Sequence, residues 1–234
     1  MAVTVVHDSR IHEAFPDHAT GVMRISSREG IRPSPEASIK LAGIFSAESG
    51  GENAHRGAEY WRTVYDNLGA KPKYRPSLQN LLDHYEEHGR LRIPVPLVEL
   101  YCWFSLVHGV PMAGYRVEQL SGALRLTIPG PGHLFTPLGQ PRGSQERTKP
   151  REVAYLDDEK VICRYWNYRD CDETKLIDGV TDAIFIFDLV NNKDLPGVAD
   201  ANDLMTAFAD LISNPERVNH TVLDGSGKVQ ADLP

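Results

Sequence analysis

A chain of 234 residues with 41% apolar and 24% charged side chains has the composition of a folded globular protein. It is long enough to bury a core without disulfide staples, and no period of about 20–50 residues marks a solenoid. The formal charge of −7 argues against a protein that coats nucleic acid by charge alone.

The charge is unevenly spread. From Asp188 to Pro234 eight acids face three bases, so most of the acidity belongs to the tail. Two upstream segments are basic: Lys71, Lys73 and Arg75, and then Arg142, Arg147, Lys149 and Arg151 with only Glu146 among them. Cys102, Cys163 and Cys171 are scattered, odd in number and free of any Cys-x-x-Cys pair, which fits a reducing compartment. No apolar run reaches the roughly 18–20 residues of a membrane span, and the first residues lack a basic-then-apolar leader. A cytoplasmic location away from membranes is the expectation.

In chain order, the β-branched runs at Val3–Val6 and Val22–Ile25 predict short strands. A short helix is expected around Ala37–Phe45. Tyr60, Trp61, Val64, Tyr65 and Leu68 recur at helical spacing and predict a helix over Glu52–Leu68 closed by Gly69. After the linker KPKYRP, Ser77 is the expected N-cap of a helix carrying Leu78, Leu81, Leu82 and Tyr85 and ended by Gly89. Pro96 opens a helix, LVELYCWFSLVH, that is apolar on nearly every side and is closed by Gly109, so it should run through the core.

Beyond Gly122 the pattern becomes strand-like: ALRLTI, EVAYL, KVICRYW and AIFIFDLV, separated by Gly, Pro and Asp turns. Asp200 and Asp203 introduce a helix with Leu204, Phe208, Leu211 and Ile212, and the last dozen residues read as a loose tail. Helices before strands, with a closing helix, predict an α+β fold. The expectation is a single domain over residues 1–234, with a core at about 60–188 and an acidic helix and tail at 189–234.

Several familiar motifs are incomplete. His84 and His88 are one helical turn apart, but a zincin helix needs Glu directly after the first His, and Tyr85 stands there. A solvated helix face is the reading, and no metal is expected. Gly130-Pro131-Gly132 lacks the spacing and lysine of a phosphate loop, and no G-x-S-x-G elbow is present. No cofactor and no obligate protein partner are called for. The densest chemistry lies in Cys163-Arg-Tyr-Trp-Asn-Tyr-Arg-Asp170, with two guanidiniums, three rings, an amide and a carboxylate. Such a cluster serves equally as a self-paired sheet edge or as a pocket for a nucleoside or amino acid.

The stretches YDNLGAKPKYRPSLQNLL (Tyr65–Leu82), PLVELYCWFSLVHGVPMAGY (Pro96–Tyr115), FTPLG (Phe135–Gly139) and EVAYLDDEKVICRYWNYRDCDETK (Glu152–Lys175) resemble the B3/B4 tRNA-binding domain. That domain is the editing module in the β-subunit of phenylalanyl-tRNA synthetase and also occurs free-standing. The resemblance runs from roughly Tyr60 to Asp188. It implies a β-sandwich-like core flanked by helices, and a free-standing editing factor that hydrolyses the ester of mischarged tRNA in trans, with the tRNA acceptor end as partner.

Carried over residue by residue, the resemblance implies that Asn167 meets the amine or ester carbonyl, and that Arg164 and Arg169 meet the carbonyl or a phosphate. Asp170 or His133 orients water, while Trp166, Tyr115, Cys102 and Tyr74 shape the substrate pocket. Lys71, Lys73, Arg75, Arg142, Arg147, Lys149 and Arg151 face tRNA phosphates. The chain departs from the family pattern at Val95 and Cys102, where Asn is common, at Glu99 for Asp, at Ala113 for His, at Arg116 for Asp and at His133 for Glu. These departures leave open a non-catalytic module that binds tRNA or an amino acid, and an enzyme for a free amino-acid derivative.

Overall fold

The computed structural model describes residues 2–47, 51–140, 144–224 and 230–234. The chain begins with β1 (Val3–His7), α1 (Ser9–Ala14) and β2 (His18–Ser26), followed by the helices α2 (Ala37–Ser46), α3 (Glu52–Asn67), α4 (Ser77–His88) and α5 (Pro96–His108). Strands then follow: β3 (Met112–Arg116), β4 (Leu124–Thr127), β5 (Leu134–Phe135), β6 (Glu146–Arg147), β7 (Ala154–Leu156), β8 (Val161–Arg164), β9 (Arg169–Asp170) and β10 (Asp182–Val190). The helix α6 (Ala201–Ala209) and strands β11 (Arg217–Leu223) and β12 (Gln230–Leu233) complete it.

Among the described residues the strands form a six-stranded sheet in the order β12-β1-β4-β7-β8-β9 and a four-stranded sheet in the order β11-β2-β10-β3, with β5 and β6 as a small hairpin. The two sheets face each other. Thr20 of β2 meets His7 of β1 at 2.8 Å, and Tyr155 of β7 reaches Asp188 of β10 at 2.7 Å. On the opposite face of β10, Phe185 and Phe187 pack edge-on against Phe208 of α6, with ring centroids 5.0 and 5.8 Å apart, and Phe104 of α5 joins them. With helices on one face and a sheet on the other, β10 is buried on both sides, which is why its sequence is a continuous apolar run rather than an alternating one. The fold is α+β, a sandwich flanked by helices.

The predicted helix signals act as expected at α5. Pro96 occupies the first turn, where no backbone N–H partner is lost. Gly109 ends the helix at φ 68°, and its N–H returns to Ser105 O. A Cβ on Gly109 would stand 2.2 Å from Asn53 O, and one on Gly57 would stand 2.3 Å from Gly109 O. Two glycines therefore set how closely α3 and α5 cross.

Three expectations need correction. Ser77 does not cap α4: Pro76 holds the N-cap position without a side-chain hydrogen bond, and Ser77 Oγ is buried without a partner among the described residues. The strand KVICRYW stops at Arg164, because Tyr165 and Trp166 turn to φ 46° and 70°. The last residues are not a loose tail. β12 pairs antiparallel with β1, Val3 opposite Leu233, and buries Ala231 and Leu233 on alternate positions. Among the described residues no helix is long and apolar enough to cross a membrane.

Candidate functional site

The segment from Arg164 to Asp170 joins β8 to β9, and two consecutive non-glycine residues in the left-handed region make it costly to form. Packing holds it there. Trp166 is 1% exposed and lies edge-on to His18, Phe15 and Trp61 at 4.4, 5.0 and 5.2 Å. Tyr165 stacks on Tyr74 at 4.1 Å. The left-handed pair sends Trp166 and Asn167 into the interior, and Asp170, back on a strand opposite Cys163, meets Tyr115 of β3.

Asn167 lies at the centre of a polar network between the sheets. Tyr65 Oη donates to its Oδ1 at 3.1 Å, and its Nδ2 donates to Asp188 Oδ2 at 3.3 Å. Tyr155 Oη donates to the second oxygen of Asp188. Burial pushes the Asp188 carboxyl up to about 7; donation by Tyr155 and Asn167 pulls against that, as does the nearby Trp166 N–H. That N–H stops short of hydrogen-bond geometry, since Trp166 Nε1 has no partner among the described residues. Thr20 extends the network to His7 and His18, and His7 Nδ1 lies 3.1 Å from His12 Nε2. Burial depresses all three imidazoles, His7 to about 3.

Arg164 is a second centre. Its Nε and Nη2 bind both oxygens of Glu152 at 2.7 and 2.8 Å, its Nη1 meets Glu146, and it is 1% exposed. The rings of Tyr74, Tyr165 and Phe135 surround the guanidinium at 5.5–5.8 Å. Burial opposes the charge, but the two carboxylates outweigh it and raise the guanidinium pKa. Arg164 thereby joins the two basic segments. Tyr74 sits between the exposed Lys73 and Arg75, and Glu146 and Glu152 flank the exposed Arg147, Lys149 and Arg151. Arg75 pairs with Asp83, and Arg147 Nη1 donates to Gly132 O at 2.8 Å. Arg142 lies outside the described residues.

Asp170 faces a cavity of about 220 Å³ between the start of α5, β3 and the segment after β9. Val95, Val98, Tyr101, Leu138 and Leu176 form apolar wall, Gly114 contributes bare backbone, and Lys175 lies in the lining. Tyr115 Oη donates to Asp170 Oδ1 at 2.9 Å. Burial raises the Asp170 pKa, while donation from the Cys163 thiol and Tyr115 moderates the rise. Arg169 Nη2 donates to Leu138 O at 2.8 Å, and Lys175 Nζ donates to Asp172 Oδ1 at 2.8 Å, so both cations are anchored beside the cavity. An apolar chamber with one carboxylate inside and cations nearby can hold a small amine- or ester-bearing group and keep water oriented on it.

The structure thus brings Asp170, Tyr115 and Arg169 together at the cavity. It directs Asn167 and Trp166 into the interior behind it and occupies Arg164 with two acids. Cys102 is buried, and burial with the nearby Asp170 charge raises its thiol pKa. His133 is exposed, with Nε2 3.1 Å from Pro129 O, away from the cavity lining. Sequence reasoning passed over Tyr101, Val98, Leu176 and Lys175. Tyr101 looked like any core residue of an all-apolar helix, while Asp188, a lone acid inside AIFIFDLV, was a visible signal left unused.

Among solved structures, the chain is similar to an N-terminal fragment of the phenylalanyl-tRNA synthetase beta-subunit from Pyrococcus horikoshii, at 12% identity and a TM-score of 0.42. The similarity covers 94% of this chain and 54% of that one, so this chain spans about half of that fragment. No curated protein matches it. The B3/4 domain family matches residues 60–214, a range that contains the Arg164–Asp170 segment and the whole cavity lining. The chain belongs to the B3/4 domain family.

Proposed function

We propose that this protein is an aminoacyl-ester hydrolase that removes a wrongly attached amino acid from tRNA in trans, in the cytoplasm, with the Asp170 cavity as its aminoacyl site. The observation that carries the reading is the apolar cavity with one carboxylate of raised pKa in its lining. Family membership and the resemblance to the editing module support the substrate class.

An aminoacyl ester is already activated, so the site needs to position water rather than supply a covalent nucleophile. In the proposed step, water oxygen attacks the ester carbonyl carbon and its proton passes to the Asp170 carboxylate. The tetrahedral intermediate collapses, the bond to the ribose oxygen breaks, and that oxygen leaves with the proton from Asp170. A raised pKa makes a carboxylate a better base. Tyr115 fixes its orientation by holding one oxygen. Arg169 and Lys175 stand where a terminal phosphate or the ester oxygen approaches, and the basic segments around Arg164 receive the acceptor stem. Asn167 acts as a positioning residue, holding the segment that carries Asp170.

The test is release of amino acid from a complete panel of mischarged tRNAs by the wild-type chain and by Asp170→Asn. Turnover of some species, reduced by about 10²-fold or more in Asp170→Asn as expected for loss of a general base, supports the reading. Saturable tRNA binding without turnover across the panel overturns it in favour of a non-catalytic binding module. That second reading is motivated by Val95, an apolar wall residue where the family commonly has Asn.

A further inference from the structure

We propose that the cavity selects aminoacyl groups with apolar side chains and discriminates against hydroxylated and charged ones, tyrosine included. This rests on the assignment of the cavity as the aminoacyl site. The chamber measures about 220 Å³, below the roughly 300–1,000 Å³ of pockets that enclose a drug-sized ligand. It suits an amino acid and leaves the terminal nucleoside outside.

The wall facing such a group is built from Val95, Val98, Leu138 and Leu176 with the ring of Tyr101. Of the charged side chains in the lining, Asp170 has one oxygen held by Tyr115 and its other oxygen assigned to the attacking water, and Lys175 Nζ turns to Asp172. A hydroxyl or charge on the bound side chain would be stripped of water against methyl groups, and an unpaired buried polar group is disfavoured. Pockets of this kind reject an isostere carrying one added hydroxyl by about 10²-fold.

Gly114 sets the depth. A Cβ there would stand 2.6 Å from Leu176 Cδ1 and 3.1 Å from the Phe185 ring. Adding it pushes the movable Leu176 tip and shrinks the chamber, so Gly114→Ala should favour smaller side chains. Val98→Asn should instead supply a partner for a hydroxyl.

The experiment measures binding of non-hydrolysable 3′-aminoacylamino-3′-deoxyadenosine amides to the full chain by calorimetry, alongside hydrolysis of the matching aminoacyl-tRNAs. The expected result is valyl over threonyl and phenylalanyl over tyrosyl by about 10- to 100-fold. That ratio should narrow in Val98→Asn, and preference should move from leucyl toward alanyl in Gly114→Ala. Equal or reversed preference in either isosteric pair overturns the inference. Selective binding without hydrolysis upholds it and overturns the deacylase reading alone. Hydrolysis with tyrosyl preferred does the opposite, and failure of every amide to bind overturns both.

Discussion

Asn167 Nδ2 donates to Asp188 Oδ2 at 3.3 Å, so the segment that bears Asp170 is tied to β10 of the four-stranded sheet. Tyr65 secures the other end of the amide from α3. Asn167→Ala leaves Tyr65 Oη without its acceptor and removes one donor from a buried carboxyl, a loss of about 1–3 kcal/mol. Stability and hydrolysis should therefore fall together in Asn167→Ala, whereas Asp170→Asn should lose hydrolysis without lower stability. Thermal unfolding measured beside deacylation separates them. Lost turnover at wild-type stability in Asn167→Ala would mean that the amide touches substrate.

The same network sets a pH dependence with two opposing signs. His7, His12 and His18 have folded-state pKa values depressed by burial, His7 to about 3. The unfolded chain binds more protons below an ordinary imidazole pKa of about 6.5, so their contribution is present above that value and is lost as pH falls through it. Asp188 acts in reverse. Its folded pKa is raised to about 7, so its contribution is full below the ordinary carboxylate pKa and is lost as pH rises toward 7. Denaturant unfolding from pH 7.5 down to pH 4 should show net acid destabilisation, since four imidazoles lowered by burial, His108 among them, oppose the two raised carboxyls of Asp188 and Asp170. His18→Gln should flatten that slope, and Asp188→Asn should steepen it. A shallower slope in Asp188→Asn contradicts the assignment.

Arg164 gives a different kind of prediction, because its partner Glu152 has a side chain with no exposure at all. Arg164→Met leaves that carboxylate buried and unpaired, which costs about 3–5 kcal/mol. The double variant Arg164→Met with Glu152→Met removes both charges and should recover much of the loss, although Glu146 also loses its partner. A double-mutant cycle read by urea unfolding tests this. Additive losses would show that the ion pair is not what holds the hairpin to Tyr74.

Much of the fold was legible because local signals agreed with burial. Pro96 and Gly109 bounded α5, and the unbroken apolar run of AIFIFDLV marked a strand covered on both faces. β12 was not legible: its four residues include Gln230 and Asp232, and their pairing with β1 joins opposite ends of the chain. The site was half legible for a related reason. Composition singled out Arg164–Asp170, but which way each side chain points depends on positive φ at Tyr165 and Trp166, a conformation that aromatic residues rarely adopt and no propensity predicts. The apolar wall was hidden because Val98, Tyr101 and Leu176 belong to types that usually fill cores.

The proposed RNA partner makes its own demand on this acidic chain. Lys71, Lys73 and Lys149 are exposed and lie in the two segments that Arg164 brings together, with Lys73 Nζ 5.0 Å from the Tyr74 ring centre. If these ammonium groups neutralise phosphates, each should contribute about 0.7–0.9 to the slope of log affinity against log salt, depending on whether the strand is single or duplex. Replacing all three with Ala should lower the slope by about two to three and weaken binding of every tRNA alike, because phosphate contacts carry no sequence information. The variant should keep its thermal stability, since exposed lysines contribute little to it. Fluorescence titrations of labelled tRNA between 50 and 200 mM salt read the slope directly. An unchanged slope would move the RNA to another face, and with it the route by which an acceptor end reaches the Asp170 cavity.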